Sequence, residues 1–173
     1  MRIDGLHHRH SGLTQALAEA FFEAASVCFA RHHRSPVQLE IGRQVGVAFS
    51  IEFALPDPTI LKAWANRTDT TEAGAYGVCL AALEATDNLV AVRRAETHTG
   101  ADWYLAPAGQ EPADLEDCFR LEVSGIDIGT RNMLENRLRK KMQKARKGQS
   151  NLPAIASVVG FAALIVLIQR LED

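Results

Sequence analysis

Two acidic residues stand where apolar strand residues would be expected. In "TGADWYLAP", residues 99–107, Asp102 sits at the mouth of a short apolar run, Trp103, Tyr104 and Leu105. In "CFRLEVSG", residues 118–125, Glu122 stands between Leu121 and Val123. A carboxylate taken out of water is costly unless something compensates it. Adjacent antiparallel strands lie about 4.8 Å apart, so on neighbouring strands Asp102 and Glu122 would flank one pocket. Two hard oxygen donors at that spacing suit Mg²⁺ or Mn²⁺, with the Val123 backbone carbonyl as a third. A metal held there would neutralise the carboxylates, polarise a phosphodiester, activate a water and stabilise the leaving oxygen. The structural alternatives are a turn cap for Asp102 and an outward position on an edge strand for Glu122.

The histidines offer a second candidate. His7, His8 and His10 precede the first expected helix, and His32 and His33 follow it. Paired histidines can bind zinc, but no cysteine accompanies them. A helix between the two groups would hold them about 30 Å apart. They read as a mobile polar flank and as a helix C-terminus that favours positive charge. His98, in "THTG" ahead of Asp102, could contact a phosphate or shuttle a proton.

The elements that must position these residues can be read along the chain. Ser11 is a possible N-cap for a helix over 11–31, with Leu13, Leu17, Phe21, Ala24 and Cys28 at helical spacing. Alternation at Val37, Leu39 and Ile41, then at Val45, Val47, Phe49, Ile51 and Phe53, predicts a hairpin turning near 42–46. Pro56 and Pro58 end it, and a short helix through Trp64 follows. Asp69 and Glu72 stand at capping-box spacing ahead of a helix with Ala73, Tyr76, Leu80 and Leu83 buried. Gly74 and Gly77 would allow that helix to pack closely on a sheet. "LVAVRRAE", "ADWYLAP" and "CFRLEVSGI" then read as three strands. A helix over 130–147 carries Leu134, Leu138 and Met142 as a narrow apolar stripe and ends at Gly148. "PAIASVVGFAALIVLI", residues 153–168, is 16 residues long, short of the about 20 that a spanning helix needs. Its β-branched residues and Gly160 favour two buried strands over a membrane anchor.

The chain has 173 residues, 47% of them apolar and 23% charged, as in an ordinary globular domain. No linker divides it, so 1–173 reads as one domain: a helix–hairpin extension over 1–69 and a core over 70–173. The net charge of −2 hides an asymmetry. Residues 126–150 hold eight cations against Asp127 and Glu135, so the rest of the chain carries eight more acids than bases. Such a basic helix points to a polyanion, to an acidic protein surface, or simply to a solvated face. Cys28, Cys79 and Cys118 lie far apart in apolar contexts, as buried thiols of a reducing, cytoplasmic compartment would.

From residue 70 the expected order is helix, strand, strand, strand, helix, strand. With Asp102 at a strand start after a glycine and Glu122 on the next strand, this stretch resembles the core of the restriction-endonuclease-like, or PD-(D/E)XK, nuclease superfamily. The resemblance covers about half the chain. It implies an α/β fold, a mixed β-sheet flanked by helices. It implies Mg²⁺- or Mn²⁺-dependent phosphodiester hydrolysis on DNA, and by family association a bacterial defence or repair system as its setting. It assigns metal ligation to Asp102, Glu122 and the Val123 carbonyl, and a helix carboxylate to Glu72, with Glu84 the other candidate. The family's Glu-x-Lys lysine falls at Ser124, which carries no charge. A cation from elsewhere would have to replace it: Lys140, Lys141 or Lys144 on the basic helix, or Arg94. Arg137, Lys140, Lys141, Lys144 and Lys147 would meet DNA phosphates. Two other readings stay open. One is an inactive nuclease-like subunit that binds DNA, a protein partner or a second copy of itself. The other is an unrelated α/β fold whose basic helix docks an acidic partner.

Overall fold

The computed structural model describes residues 1–42, 47–97, 99–110, 112, 114–146 and 150–171. Helix α1 (Gln15–Ala30) is capped by Thr14, whose hydroxyl accepts from the Leu17 N–H; Ser11 lies outside it. Strands β1 (Val37–Ile41) and β2 (Ala48–Ile51) pair antiparallel, as alternation predicts, and the centre of their connection lies outside the described residues. The short helix α2 (Pro58–Ala63) starts on Asp57, with proline in its first turn, where a missing N–H costs nothing. Helix α3 (Arg67–Asp87) starts one turn before the expected capping box. Asn66 is its N-cap, accepting from the Thr68 and Asp69 N–H groups, and its amide donates to Asp69. Asp69 therefore closes the cap, and Glu72 is free for another role.

The remaining elements are β3 (Leu89–Arg94), β4 (Trp103–Pro107), β5 (Phe119–Ile126), α4 (Arg131–Arg146), β6 (Ala154–Gly160) and β7 (Ile165–Arg170). The apolar stretch 153–168 thus forms strands, and among the described residues no helix is long and apolar enough to cross a membrane. Seven strands make one mixed sheet in the order β2-β1-β7-β6-β5-β4-β3. The β3-β4-β5 run is antiparallel, and β5 pairs parallel with β6. A parallel pair needs a crossover, which α4 supplies. The N-terminal hairpin joins the same sheet through β1 beside β7.

Helix α3 is sandwiched between the sheet and α1, which explains why almost every side chain from Thr70 to Leu83 is buried and not only one stripe. Gly74 is the contact point with α1. A Cβ there would stand 3.0 Å from the Ala25 backbone, so the close approach serves α1 and not the sheet. On the sheet, Leu121, Val123, Ile155, Val159 and Val166 face this layer. Leu134, Leu138 and Met142 of α4 pack on the opposite face, against Ala156, Val158, Ile165 and Leu167. The expected apolar stripe of the basic helix is the one observed.

The histidine flank is not the loose segment that its composition suggests. His10 is fully buried. Its Nδ1 accepts from the Ala91 N–H at 2.9 Å, and the Gly12 N–H donates to the Ala91 carbonyl at 2.9 Å. Residues 10–12 thereby cover the outer edge of β3, which would otherwise present unpaired backbone groups. His32 binds Asp127 at 2.8 Å, and His33 lies 3.0 Å from the Phe161 carbonyl, so both are packed as well.

Candidate active-site cleft

The cleft follows from unequal strand lengths. The β4-β5 ladder starts at Trp103 opposite Leu121, yet β5 runs on to Ile126 with only β6 beside it. The free edge of β5 past residue 121 forms the floor of an open cleft of about 670 Å³. One wall is the start of α3, with Arg67, Thr71 and Glu72; the other is α4, with Arg137, Lys141 and Lys144.

Asp102 is the first residue before β4. Its Oδ2 accepts the Val123 N–H at 2.7 Å, which replaces the strand carbonyl that β4 no longer provides. Its Oδ1 lies 3.1 Å from the Tyr76 hydroxyl on α3. These bonds are part of what compensates its burial. Desolvation still raises the Asp102 carboxyl above the ordinary carboxylate range. The neighbouring Glu122 charge pushes the same way; the Val123 N–H, Lys141 and Tyr76 oppose it.

Glu122 is 3% exposed. Strand alternation turns it away from Val123, toward α4. There its Oε1 accepts from Lys141 Nζ at 2.8 Å and from Lys144 Nζ at 2.7 Å. Its Oε2 is buried and has no hydrogen-bond partner among the described residues. The hydrogen bond to Glu122 raises the Lys144 ammonium above its usual pKa, so it is charged at neutral pH. Asp102 and Glu122 thus turn toward helices on opposite sides of the sheet, yet both line the same cleft at the strand edge.

The other expected residues divide clearly. Ser124 lines the cleft two residues after Glu122 on the same strand. A lysine there would leave β5 on the Glu122 side, toward α4, and that is the side from which Lys141 and Lys144 reach in. Glu72 lines the cleft, with its Oε1 2.9 Å from the Tyr76 hydroxyl. Glu84 lies elsewhere, bound to Arg9 and His10. Arg137 lines the cleft; Lys140 is exposed on α4 but is not part of the lining. The Val123 side chain points into the α3 core, while its backbone N–H serves Asp102. Arg94 stacks on Tyr76 and Trp103, with its guanidinium carbon 4.5 and 4.7 Å from the two ring centres, and does not reach Glu122. Lys147 and His98 lie outside the described residues.

Sequence reasoning missed Tyr76, Arg67 and Asp127. Asp127 lines the far end of the cleft, held by Arg31 at 3.3 Å and His32 at 2.8 Å, with Arg67 at 3.9 Å. A tyrosine at a buried helical position carries no polar signal, and an ion-pair cluster assembled from three distant segments has no local spacing to find. Among the described residues no three or more His, Cys, Asp or Glu side chains gather as a metal site. Set beside known proteins, the chain matches no family model, no curated protein and no solved structure.

Proposed function

We propose that this cleft hydrolyses phosphodiester bonds of DNA with a bound Mg²⁺ or Mn²⁺, in the manner of restriction-endonuclease-like nucleases. The order α3-β3-β4-β5-α4-β6 agrees with what that resemblance implies. The observation that carries the reading is the state of Glu122. One oxygen is held by two lysines, and the other is buried without a partner among the described residues, in the cleft that Asp102 also lines. An orphaned carboxylate oxygen is a costly feature, and a hard cation would relieve it.

The donor set fits Mg²⁺ better than a metal that demands a full protein cage. Mg²⁺ is usually content with one or two carboxylates, completed by waters and substrate phosphates. Asp102 and Glu122 Oε2 would hold it, with the Val123 carbonyl as the backbone donor. Once bound, such an ion supplies Lewis-acid polarisation of the phosphoryl oxygen and a more acidic water. Lys141 takes the place of the lysine that Ser124 lacks. Its ammonium, on a side chain 21% exposed, is held at the same carboxylate and would orient the attacking water and stabilise the charge that develops on phosphorus oxygens. Arg67 and Arg137 would grip phosphates along the cleft, and Lys140 the strand outside it.

A second reading rests on charge. Glu122 is met by Lys141 and Lys144, and Asp102 and Glu72 by the Tyr76 hydroxyl that Arg94 contacts, without any metal, which suits a nuclease-like subunit that binds DNA or a protein partner but does not cut. Incubation of the protein with supercoiled plasmid and Mg²⁺ or Mn²⁺ separates the two. The first reading predicts nicking that Asp102→Asn and Glu122→Gln abolish and Lys141→Ala greatly slows. Retarded but intact plasmid supports the second reading. Intact plasmid with no retardation overturns the DNA assignment.

A further inference from the structure

We infer that Tyr76 is the positioning residue of the cation site: with Arg94 behind it, its hydroxyl fixes Asp102 and couples it to Glu72. The inference rests on the cation reading of the cleft and adds a residue that the motif does not contain. Glu72 and Tyr76 are four apart on α3 and so share one face of the helix. The Tyr76 oxygen lies 2.9 Å from Glu72 Oε1 and 3.1 Å from Asp102 Oδ1. Arg94 Nη2 donates to that same oxygen at 3.3 Å. The phenol is therefore the junction between helix α3, strand β3 and the start of β4.

The junction is rigid. Tyr76 is 5% exposed and Trp103, which follows Asp102 directly, is fully buried. The two rings meet edge to face, 6.2 Å between centres, and the Arg94 guanidinium stacks on both. Two of the three groups that hold Asp102 are thereby set by this stack: its own neighbour Trp103 and the Tyr76 hydroxyl. The third is the Val123 N–H.

Proton counting shows what the junction does. A phenol has one proton to donate, and Tyr76 faces two carboxylate oxygens. It can give that proton to Asp102 or to Glu72, not to both. Glu72 is exposed and can be met by water, whereas Asp102 is partly buried and depends on the phenol. Partners of this kind, one step removed from a metal, typically change metal affinity or activity by about 10–100-fold when removed.

The test is Mn²⁺ affinity by electron paramagnetic resonance titration of the whole chain, with no substrate present. Tyr76→Phe is expected to lower affinity about 10–100-fold with an unchanged fold. Arg94→Met, which keeps bulk between the rings, lowers it less and in the same direction. Tyr104→Phe is the control, since that buried tyrosine packs on Ala106 and Cys118, in a cluster apart from the cleft, and should leave the affinity unchanged. Wild-type binding with equal affinity in Tyr76→Phe overturns this inference and leaves the proposed function standing. No Mn²⁺ binding by the wild type overturns the cation reading itself, and this inference with it.

Discussion

Replacing Lys141 by methionine separates the two cations that compete for Glu122. The Lys141 ammonium lies 2.8 Å from Glu122 Oε1, with side-chain exposures of 21% and 4%. Methionine keeps most of the apolar stem and removes the charge. Removing one partner of a buried ion pair costs about 3–5 kcal/mol, because the remaining charge stays buried. Lys144 still reaches the same oxygen at 2.7 Å, but it is 63% exposed and its contact is largely screened by water. The net loss is then about 2–3 kcal/mol, or roughly 4–12 °C in Tm for a chain of this size. A cation bound between Asp102 and Glu122 replaces the lost charge. Mn²⁺ at a hundred times its Kd returns about 2.7 kcal/mol, which closes most of the gap. Differential scanning calorimetry with EDTA and with Mn²⁺ should show Lys141→Met destabilised in the first and largely restored in the second. The shift with Mn²⁺ should be larger than for the wild type, whose Glu122 is already paired. Plasmid nicking with Mn²⁺ should stay greatly slowed even where stability is restored, since the orienting ammonium is gone. An equal Mn²⁺ shift in Lys141→Met and in a Lys141→Met, Glu122→Gln double variant would refute the reasoning, because the rescue would then not run through Glu122.

Three further outcomes follow from single contacts. Burial holds the His10 imidazole below its ordinary pKa of 6.5, although Glu84 pulls it upward. The unfolded chain therefore binds this proton more readily, so the contribution of His10 is complete above about pH 6.5 and is lost as pH falls below it. Urea unfolding from pH 7.5 to 5 should show that decline, and His10→Asn, whose oxygen can take the Ala91 N–H, should flatten it; equal slopes count against the assignment. Gly125→Ala would place a Cβ 2.5 Å from the Thr71 carbonyl oxygen, forcing α3 off β5 at a cost of about 1–3 kcal/mol, readable as a lower Tm in calorimetry. Arg137→Ala with Lys140→Ala should weaken duplex DNA binding by fluorescence anisotropy and lower the log–log salt slope by about 1.8; an unchanged slope removes α4 from the interface.

Much of the fold was legible because it is local. Period-two alternation found β1 and β2, and the apolar run at 153–168 resolved into β6 and β7 through its β-branched residues and Gly160. The narrow stripe of Leu134, Leu138 and Met142 told which face of the basic helix is buried. What stayed hidden depends on neighbours from afar. The burial of α3 on nearly every side follows from α1 lying across it, which no pattern within 67–87 announces. His10 looked like part of a polar tail because the edge of β3, 81 positions away, is what it serves. At the site, Asp102 and Glu122 stood out as charges in apolar runs, and the spare cations of α4 were visible as a run. That two of those cations close on Glu122 requires knowing that α4 crosses back over the face Glu122 points to.

The most direct test is the anomalous difference map of a crystal soaked in Mn²⁺. One strong peak is expected in the cleft, with Asp102, the free Oε2 of Glu122 and the Val123 carbonyl as its protein ligands and Lys141 retained on Oε1. A map without a peak there, with Glu122 held by both lysines at saturating Mn²⁺, would contradict the cation reading.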